Sequence, residues 1–353
     1  MPARSEPTAT IPVREAHAMD PDRLARWLGE QRLGAGALTI RQFSGGQSNP
    51  TYLLSTAGGR YVLRRKPPGV LLPSAHAVDR EFRILNALAG SAVPVPRALC
   101  YCDDVSVAGT PFYLMEYVDG RIFWNPALPD QTPRERAAIY EEMNRVIAAI
   151  HAIDPDAAGL ADFGRRENYV ARQIERWSKQ YRASELDRID SMEQLIDWLP
   201  RHVPPDEPAR ITHGDFRIDN LIFDRHELRI RAVIDWELAT LGNALSDFAY
   251  NCMTYRMPEA VRKGLAGLDL AQLGIPSEQA YVGRYLLRTG RPAVSSSTLD
   301  FYIAFNLFRL ASILQGVAAR ARLGNASSEH ATEAGNLTRP IADLGWAQAR
   351  GVH

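Results

Sequence analysis

Cysteine is scarce: Cys100, Cys102 and Cys252 are the three in 353 residues. That is too few for a disulfide framework, and none has a metal-type partner pair. Cys100-x-Cys102 is expected on a strand, as small core residues. Charge of one sign is lacking too, with 41 Lys plus Arg against 41 Asp plus Glu. No overall field therefore favours nucleic acid or an anionic membrane surface. The N-terminus lacks a positively charged stretch leading into an apolar run, so no signal peptide is expected. No apolar stretch approaches the length of a membrane span, so no membrane partner is expected either. Walker lysine and G-x-G-x-x-G motifs are missing, as are repeats and low-complexity tracts. These absences leave a soluble, reducing, cytoplasmic enzyme as the expectation. Hydrophobic residues at 46% supply a substantial core, and the length suits two domains or lobes.

Against that background one stretch stands out: Ile211-Thr212-His213-Gly214-Asp215-Phe216-Arg217-Ile218-Asp219-Asn220, then Leu221-Ile222-Phe223-Asp224 and Ala232-Val233-Ile234-Asp235-Trp236-Glu237. It reads as a polar loop followed by a β-hairpin, with Leu221 to Phe223 and Arg231 to Ile234 as strands and Asp224 to Glu227 as the turn. The loop offers the carboxylate of Asp215 and, five residues on, the amide of Asn220; the hairpin returns a second carboxylate, Asp235. One carboxylate to orient a hydroxyl proton, plus an amide and a carboxylate to hold magnesium, are minimal parts for phosphoryl transfer.

His-Gly-Asp-x-x-x-x-Asn followed by Ile-Asp resembles the catalytic and metal-binding loops of protein-kinase-like enzymes. Gly in second place, and Asp-Trp-Glu where protein kinases have Asp-Phe-Gly, resemble instead the aminoglycoside phosphotransferase and choline kinase family of small-molecule kinases. The resemblance implies an α+β, protein-kinase-like two-lobed fold: a small lobe with a five-stranded antiparallel sheet, a larger mainly helical lobe, and ATP in the cleft. The N-terminal nucleotide-binding lobe would cover 1–117 and the C-terminal catalytic and substrate lobe 118–353.

Residues 1–17 are polar and aperiodic and are expected to be a mobile tail. Asp20-Pro21 makes a helix start, with Leu24, Trp27 and Leu28 as its buried stripe. Strands are expected at Leu38 to Phe43, Thr51 to Ser55 and Arg60 to Arg65. Between the first two runs Ser44-Gly45-Gly46-Gln47-Ser48-Asn49, and between the last two a Gly58-Gly59 turn. Backbone amides approach phosphate oxygens closely where Cβ is absent, so Ser44 to Asn49 is a candidate phosphate loop. Period-two alternation puts Val62, Arg64 and Lys66 on one face. The resemblance places a phosphate-binding cation there, with Arg64 at the aligned position in place of the commoner lysine and Lys66 as the alternative.

A helix follows over Ala77 to Ala89, with Val78, Phe82, Leu85 and Ala89 on one face and Glu81 at its border. The resemblance makes Glu81 the partner of the phosphate-binding cation. Strands at Ala98 to Tyr101 and Pro111 to Tyr117 lead to Glu116, Tyr117 and Val118, by position the hinge whose backbone would pair with adenine. Beyond it helices are expected over Arg134 to Ile153, Asn168 to Tyr181 (Trp177 as anchor) and Ser191 to Leu199 (Ser191 as N-cap); one opens at Ala244, another runs from the Leu273-Gly274-Ile275-Pro276 lead-in through Leu287, and a long one covers Tyr302 to Ala319. His151 is expected to be structural, Asp247 an anchor for the catalytic loop, and Arg309 either a snorkelling or a substrate-binding residue.

The implied reaction moves the γ-phosphoryl of Mg-ATP to a small-molecule hydroxyl. Asp215 would act as base, Asn220 and Asp235 would hold Mg2+, and Arg64 or Lys66, set by Glu81, would neutralise phosphates. Asn168 to Tyr181 resembles the branch of the family associated with acyl-CoA dehydrogenases, which favours a hydroxyacyl acceptor, CoA-linked or free. Arg165, Arg166 and Arg172 are candidates to bind it, and a functional link to an acyl-CoA dehydrogenase is expected. The competing readings are an aminoglycoside kinase, using the acidic helices around Asp187, Asp190, Glu193 and Asp197, and a non-catalytic nucleotide-binding partner of a dehydrogenase. Metal-dependent hydrolysis lacks the additional ligands such sites gather.

Overall fold

Asp20 accepts hydrogen bonds from the backbone N–H groups of Asp22 and Arg23, and Pro21 behind it opens α1 (Pro21–Glu30), as the sequence pattern requires. The computed structural model describes residues 10–34, 36–44, 49–68, 77–322 and 335–351. The chain divides into two units: Met1–Ile122 with Ile222–Glu227 and Arg231–Glu237, and Phe123–Leu221 with Leu228–Ile230 and Leu238–His353.

In the first unit six strands form one antiparallel sheet: β1 (Thr10–Ile11), β2 (Thr39–Phe43), β3 (Thr51–Thr56), β4 (Gly59–Arg65), β5 (Ala98–Cys102) and β6 (Phe112–Glu116). Their order is β1-β2-β3-β4-β6-β5. The sixth strand, absent from expectation, lies within the stretch read as a tail: Thr10 and Ile11 pair with Phe43 and Gln42. The remaining helices of this unit are α2 (Val78–Leu88) and the short α3 (Val105–Ala108). The β3–β4 turn is tight, pairing Thr56 with Gly59, and a side chain at Gly58 would lie 2.7 Å from the Leu33 carbonyl. Only glycine admits that approach.

Alternation sorts the adjacent cations Arg64 and Arg65 of β4. Arg65 faces α1 with Leu63, where Tyr52, Leu54, Phe112 and Leu114 pack on Leu24 and Leu28. Buried there, it bonds the Tyr52 hydroxyl and the carbonyls of Ala108 and His17. Arg64 turns to the opposite face. The buried stripe of α2 is Val78, Glu81, Ile84, Leu85 and Leu88. Expectation had the stripe rotated: Phe82 is half-buried against Tyr101 and Tyr113, Ala89 is exposed, and Glu81 sits at the centre of the face. The buried ion pair described below draws the helix round to that face.

The second unit is mainly helical. α4 (Pro133–Ala152) starts from a Thr132/Glu135 capping box, and its stripe Ile139, Met143, Val146, Ile147 and Ile150 is buried as expected. α5 (Tyr169–Ala183) and α6 (Asp190–Trp198) follow. Ser191 does not cap α6; it lies inside the helix and donates to Asp343. β7 (Arg210–Thr212) precedes the polar loop; the hairpin strands that follow it, β8 (Leu221–Phe223) and β9 (Ile230–Val233), fall mostly in the first unit. The turn closes as an Asx turn, His226 and Glu227 donating to the Asp224 carboxylate. β10 (Thr240–Gly242) pairs with β7, so a two-stranded ladder frames the loop.

Asn243 caps α7 (Ala244–Arg256), and the chain ends through α8 (Leu270–Leu273), α9 (Glu278–Thr289), α10 (Ser296–Arg322) and α11 (Thr338–Ala349). The expectation that no stretch reaches membrane length needs correcting. α10 is long and apolar enough by length and composition, yet 83% of its most apolar window is buried inside the protein. It packs against α5, α7 and α11, and its apolarity is that of a core helix.

The first unit's core depends on the Trp27–Phe112 edge contact, with ring centroids 4.9 Å apart and Phe112 fully buried. Phe112→Ala is expected to cost about 3–5 kcal/mol, the usual range for emptying such a site. Urea unfolding monitored at Trp27 measures it, and an unchanged midpoint would contradict this packing.

Candidate active site

In the first unit one guanidinium gathers three carboxylates. Arg64 Nε lies 2.9 Å from Glu81 Oε2, and Arg64 Nη2 lies 2.6 Å from Asp235 Oδ1 and 3.2 Å from Glu237 Oε2. Asn49 Nδ2 donates to Glu81 Oε1 at 2.8 Å, and the Tyr113 hydroxyl donates to Glu81 Oε2 at 3.1 Å. Burial would lower the Arg64 pKa, but Glu81 and then Asp235 outweigh it and hold the group well above its ordinary value. Burial likewise pushes the Glu81 carboxyl up, against the pull of Arg64. Arg64 is thus the cation that pairs with the helix glutamate. Lys66 is not: its Nζ stands 4.0 Å from Asp79, partly exposed. Asp235 adopts φ 68°, a left-handed conformation that a non-glycine residue holds only where its surroundings impose it.

Other expected nucleotide residues have plainer surroundings. Glu116 pairs in the sheet with Tyr61 and bonds the Arg97 backbone, Tyr117 lies under the Arg60 guanidinium, and Val118 is half-buried. Ser44 follows β2, while Gly45, Gly46, Gln47 and Ser48 lie outside the described residues.

In the second unit the polar loop is fixed through the peptide of Gly214. Asp247 on α7 accepts from the N–H of His213 and of Gly214, each at 2.8 Å, and Arg309 Nη2 donates to the Gly214 carbonyl at 2.8 Å. Gly214 has φ 83°, and a Cβ there would lie 2.9 Å from both Cβ and carbonyl oxygen of Leu238. The second position of His-Gly-Asp therefore requires glycine. Arg309 does not snorkel; buried over the Trp177 and Tyr250 rings, it holds the loop through the Gly214 carbonyl.

His151 stands behind Asp247, its Nε2 3.1 Å from Asp247 Oδ2 and its Nδ1 2.7 Å from the Tyr285 hydroxyl. An ionised carboxylate only accepts, so the Nε2–H of His151 donates to Asp247. Both His151 and Asp247 are structural, as expected.

So held, Asp215 presents a carboxylate with 20% of its side chain exposed. The Tyr250 hydroxyl donates to Oδ1, Arg217 Nε lies 3.1 Å from the same oxygen, and Asn220 Nδ2 donates to Oδ2 at 3.0 Å. Burial opposes ionisation, but Arg217, then Tyr250, His213 and Arg262, hold the Asp215 pKa below the usual carboxylate value. Arg217 also reaches Asp219 Oδ2 at 3.0 Å. Asp215 and Asn220 are brought together as the spacing requires.

A cavity of about 80 Å³ opens beside this loop, lined by Trp124, Met143, Met253, Met257 and Leu310 with Arg217, Tyr250 and Arg262. Two of the three cations expected at the acceptor have protein partners. Arg166 pairs with Asp156, and Arg172 donates to the Arg165 carbonyl at 2.7 Å. Of the acidic helix residues, Glu193 and Asp197 pair with Arg182 and Arg201, an ordinary solvated surface. Tyr250, Arg217 and Arg262 were not anticipated. Arg217 lies within the motif and Tyr250 lies three residues after Asp247, but nothing in the sequence marks Arg262.

Asn220 and Asp235 belong to different units. Both offer hard oxygen donors suited to Mg2+. The Asn220 amide oxygen accepts no hydrogen bond among the described residues, its nitrogen being occupied by Asp215. Around Arg64, three carboxylates against one guanidinium leave a surplus of negative charge that suits a divalent cation.

Residues 39–281 match the phosphotransferase enzyme family. The chain is 46% identical over 342 residues to the mouse (Mus musculus) acyl-CoA dehydrogenase family member 10, covering 96% of this chain and 32% of that protein. It spans less than half the length of the acyl-CoA dehydrogenase relatives it matches. A solved structure from Ralstonia eutropha JMP134, provisionally classed as an aminoglycoside phosphotransferase, superposes with a TM-score of 0.85 at 47% identity, covering 95% of this chain and 99% of that one. The aminoglycoside phosphotransferase APH(4)-Ia, in complex with ADP and hygromycin B, shares the fold at a TM-score of 0.59 and 18% identity, covering 91% and 98%.

The pH dependence of stability tests the loop anchor. Burial opposes ionisation of Asp247, but the hydrogen bond from His151 and the charges of His151 and His213 hold its pKa below the ordinary value. A depressed folded-state pKa contributes stability that is present above the unfolded value, about 4, and lost as pH falls through the folded value. Asp247→Asn is expected to cost about 1–3 kcal/mol at neutral pH, the gap to wild type closing below about pH 4. Urea unfolding on both sides of that pH measures the gap, and one that does not change would contradict the anchor.

Proposed function

The chain belongs to the phosphotransferase enzyme family, and from this premise we propose that it transfers the γ-phosphoryl of ATP to a hydroxyl of a hydroxyacyl compound, free or CoA-linked. The observation that carries the acceptor class is the cavity beside Asp215, about 80 Å³: an apolar wall of Trp124, Met143, Met253, Met257 and Leu310, with two guanidiniums against the single carboxylate of Asp219, itself paired with Arg217. Such a lining suits an aliphatic chain ending in an acyl group and repels a polycation. Drug-sized ligands occupy about 300–1,000 Å³, so the cavity suits the reacting end of a slender acceptor.

The chemistry needs little covalent participation by the protein. Asp215 accepts the proton of the acceptor hydroxyl as its oxygen attacks the γ-phosphorus and ADP leaves. Tyr250 and Asn220 fix the direction of the two carboxylate oxygens, and the depressed pKa keeps Asp215 ionised at neutral pH. Arg64, oriented by Glu81 and Asn49, supplies positive charge for the phosphates. Asn220 and Asp235 would hold Mg2+, which when bound neutralises charge on the transferring phosphates. The names of the relatives further support a functional link to an acyl-CoA dehydrogenase.

The test is ADP formation from Mg-ATP across hydroxyacyl-CoAs, free hydroxy acids, choline and aminoglycosides, with Asp215→Asn alongside. Turnover is expected on a hydroxyacyl class, falling about 10²–10⁴-fold in the variant while ATP binding is largely kept. Unchanged turnover in Asp215→Asn would end the assignment, and turnover confined to aminoglycosides would replace the acceptor.

A further inference from the structure

The two cavity arginines differ in their ties. Arg217 is committed to Asp215 and Asp219. Arg262, half-buried, has no hydrogen bond or ion pair among the described residues. A guanidinium carries five N–H donors, and leaving them unmet in a partly buried place is unfavourable. Nor is Arg262 there by slack of the chain. Arg262 and Lys263 have φ 54° and 55°, consecutive left-handed non-glycine residues. Backbone bonds tie their loop down: Val261 N–H to the Pro258 carbonyl, Lys263 N–H to Glu259, Leu265 N–H to Thr254. At Gly264 a Cβ would fall 1.8 Å from the Met257 carbonyl, so the loop closes only with glycine there. Strain of this kind persists where the surroundings impose it, and it gathers at ligand-binding positions. Burial, then repulsion from Arg217, holds the Arg262 pKa below the usual arginine value; the weaker attractions of Tyr250, Asp215 and Asp219 do not reverse this.

We propose that Arg262 is a specificity-determining residue that binds the acyl oxygen of the phosphate acceptor, a carboxylate or a thioester carbonyl. The acceptor's alkyl segment then lies against Met253, Met257 and Leu310, and its hydroxyl meets Asp215. The same guanidinium disfavours cationic acceptors, because among the described residues no carboxylate lies within ion-pair distance to neutralise it. This assignment rests on the hydroxyacyl reading above.

The experiment compares kcat/KM on the full chain for a hydroxy acid, its CoA thioester, and an alcohol of the same chain length without the acyl group. The variants are Arg262→Gln, Arg262→Lys and, as a loop control, Lys263→Ala. For Arg262→Gln the ratio of acyl acceptor to plain alcohol is expected to fall about 10- to 100-fold, chiefly through KM, as for loss of a charged hydrogen bond. Arg262→Lys keeps part of the preference, and keeps the test open if the glutamine variant does not fold. A larger loss with the acid than with the thioester identifies a carboxylate; equal losses identify a carbonyl. Turnover of acyl acceptors with a ratio indifferent to Arg262, or a ratio shifted equally by Lys263→Ala, overturns the assignment alone. A wild type that phosphorylates no acyl acceptor overturns the hydroxyacyl reading, and this assignment with it.

Discussion

The peptide unit of Gly214 is gripped from both sides: Asp247 takes its N–H, and Arg309 gives a hydrogen bond to its carbonyl. Both partners are buried and charged, so these bonds are stronger than neutral ones and costly to break. They require a backbone turn that only glycine makes without collision with Leu238. Once that turn is set, Asp215 has one direction to point, and Tyr250, Arg217 and Asn220 meet its carboxylate there. The His151–Tyr285 pair behind Asp247 fixes the anchor itself. A site that must act by geometry and charge, with no covalent intermediate, gains most from such prior fixing.

The first unit solves a similar problem with charge. Strand alternation sends Arg64 and Arg65 to opposite faces, so adjacent cations serve separate purposes. Arg65 secures the packing of β4 on α1 and the N-terminal segment, and Arg64 collects Glu81, Asp235 and Glu237. An arginine suits this better than a lysine would, because its planar fork offers several donors at fixed angles to several carboxylates. The result is a cation kept in place before any phosphate arrives.

Much of this was legible where chemistry follows local spacing. The five-residue step from Asp215 to Asn220, the cap at Asp20 and the alternation of β4 are short-range properties, and each holds in the structure. Legibility failed where tertiary contacts decide. A Glu81 taken for the border of a helix face is its buried centre, because a buried ion pair outweighs apolar periodicity. The length of α10 satisfies a membrane criterion that its burial against three helices explains otherwise. Arg309 and Arg262 are single arginines in unremarkable surroundings. Only the fold shows that one meets the Gly214 carbonyl and that the other has no hydrogen bond or ion pair among the described residues. Arg165, Arg166 and Arg172, the cations expected at a hydroxyacyl acceptor, are near in sequence, and sequence does not show that Arg166 is already paired with Asp156.

In the proposed reaction Asp215 directs phosphoryl transfer onto a carbon-borne hydroxyl seated in the cavity beside it. The most direct test is phosphorus NMR of the products formed from Mg-ATP and a hydroxy acid or its CoA thioester. ADP is expected together with a new phosphomonoester resonance, coupled to the proton on the carbon that bore the hydroxyl. ADP accompanied by inorganic phosphate alone, or a resonance of an acyl phosphate, would contradict it.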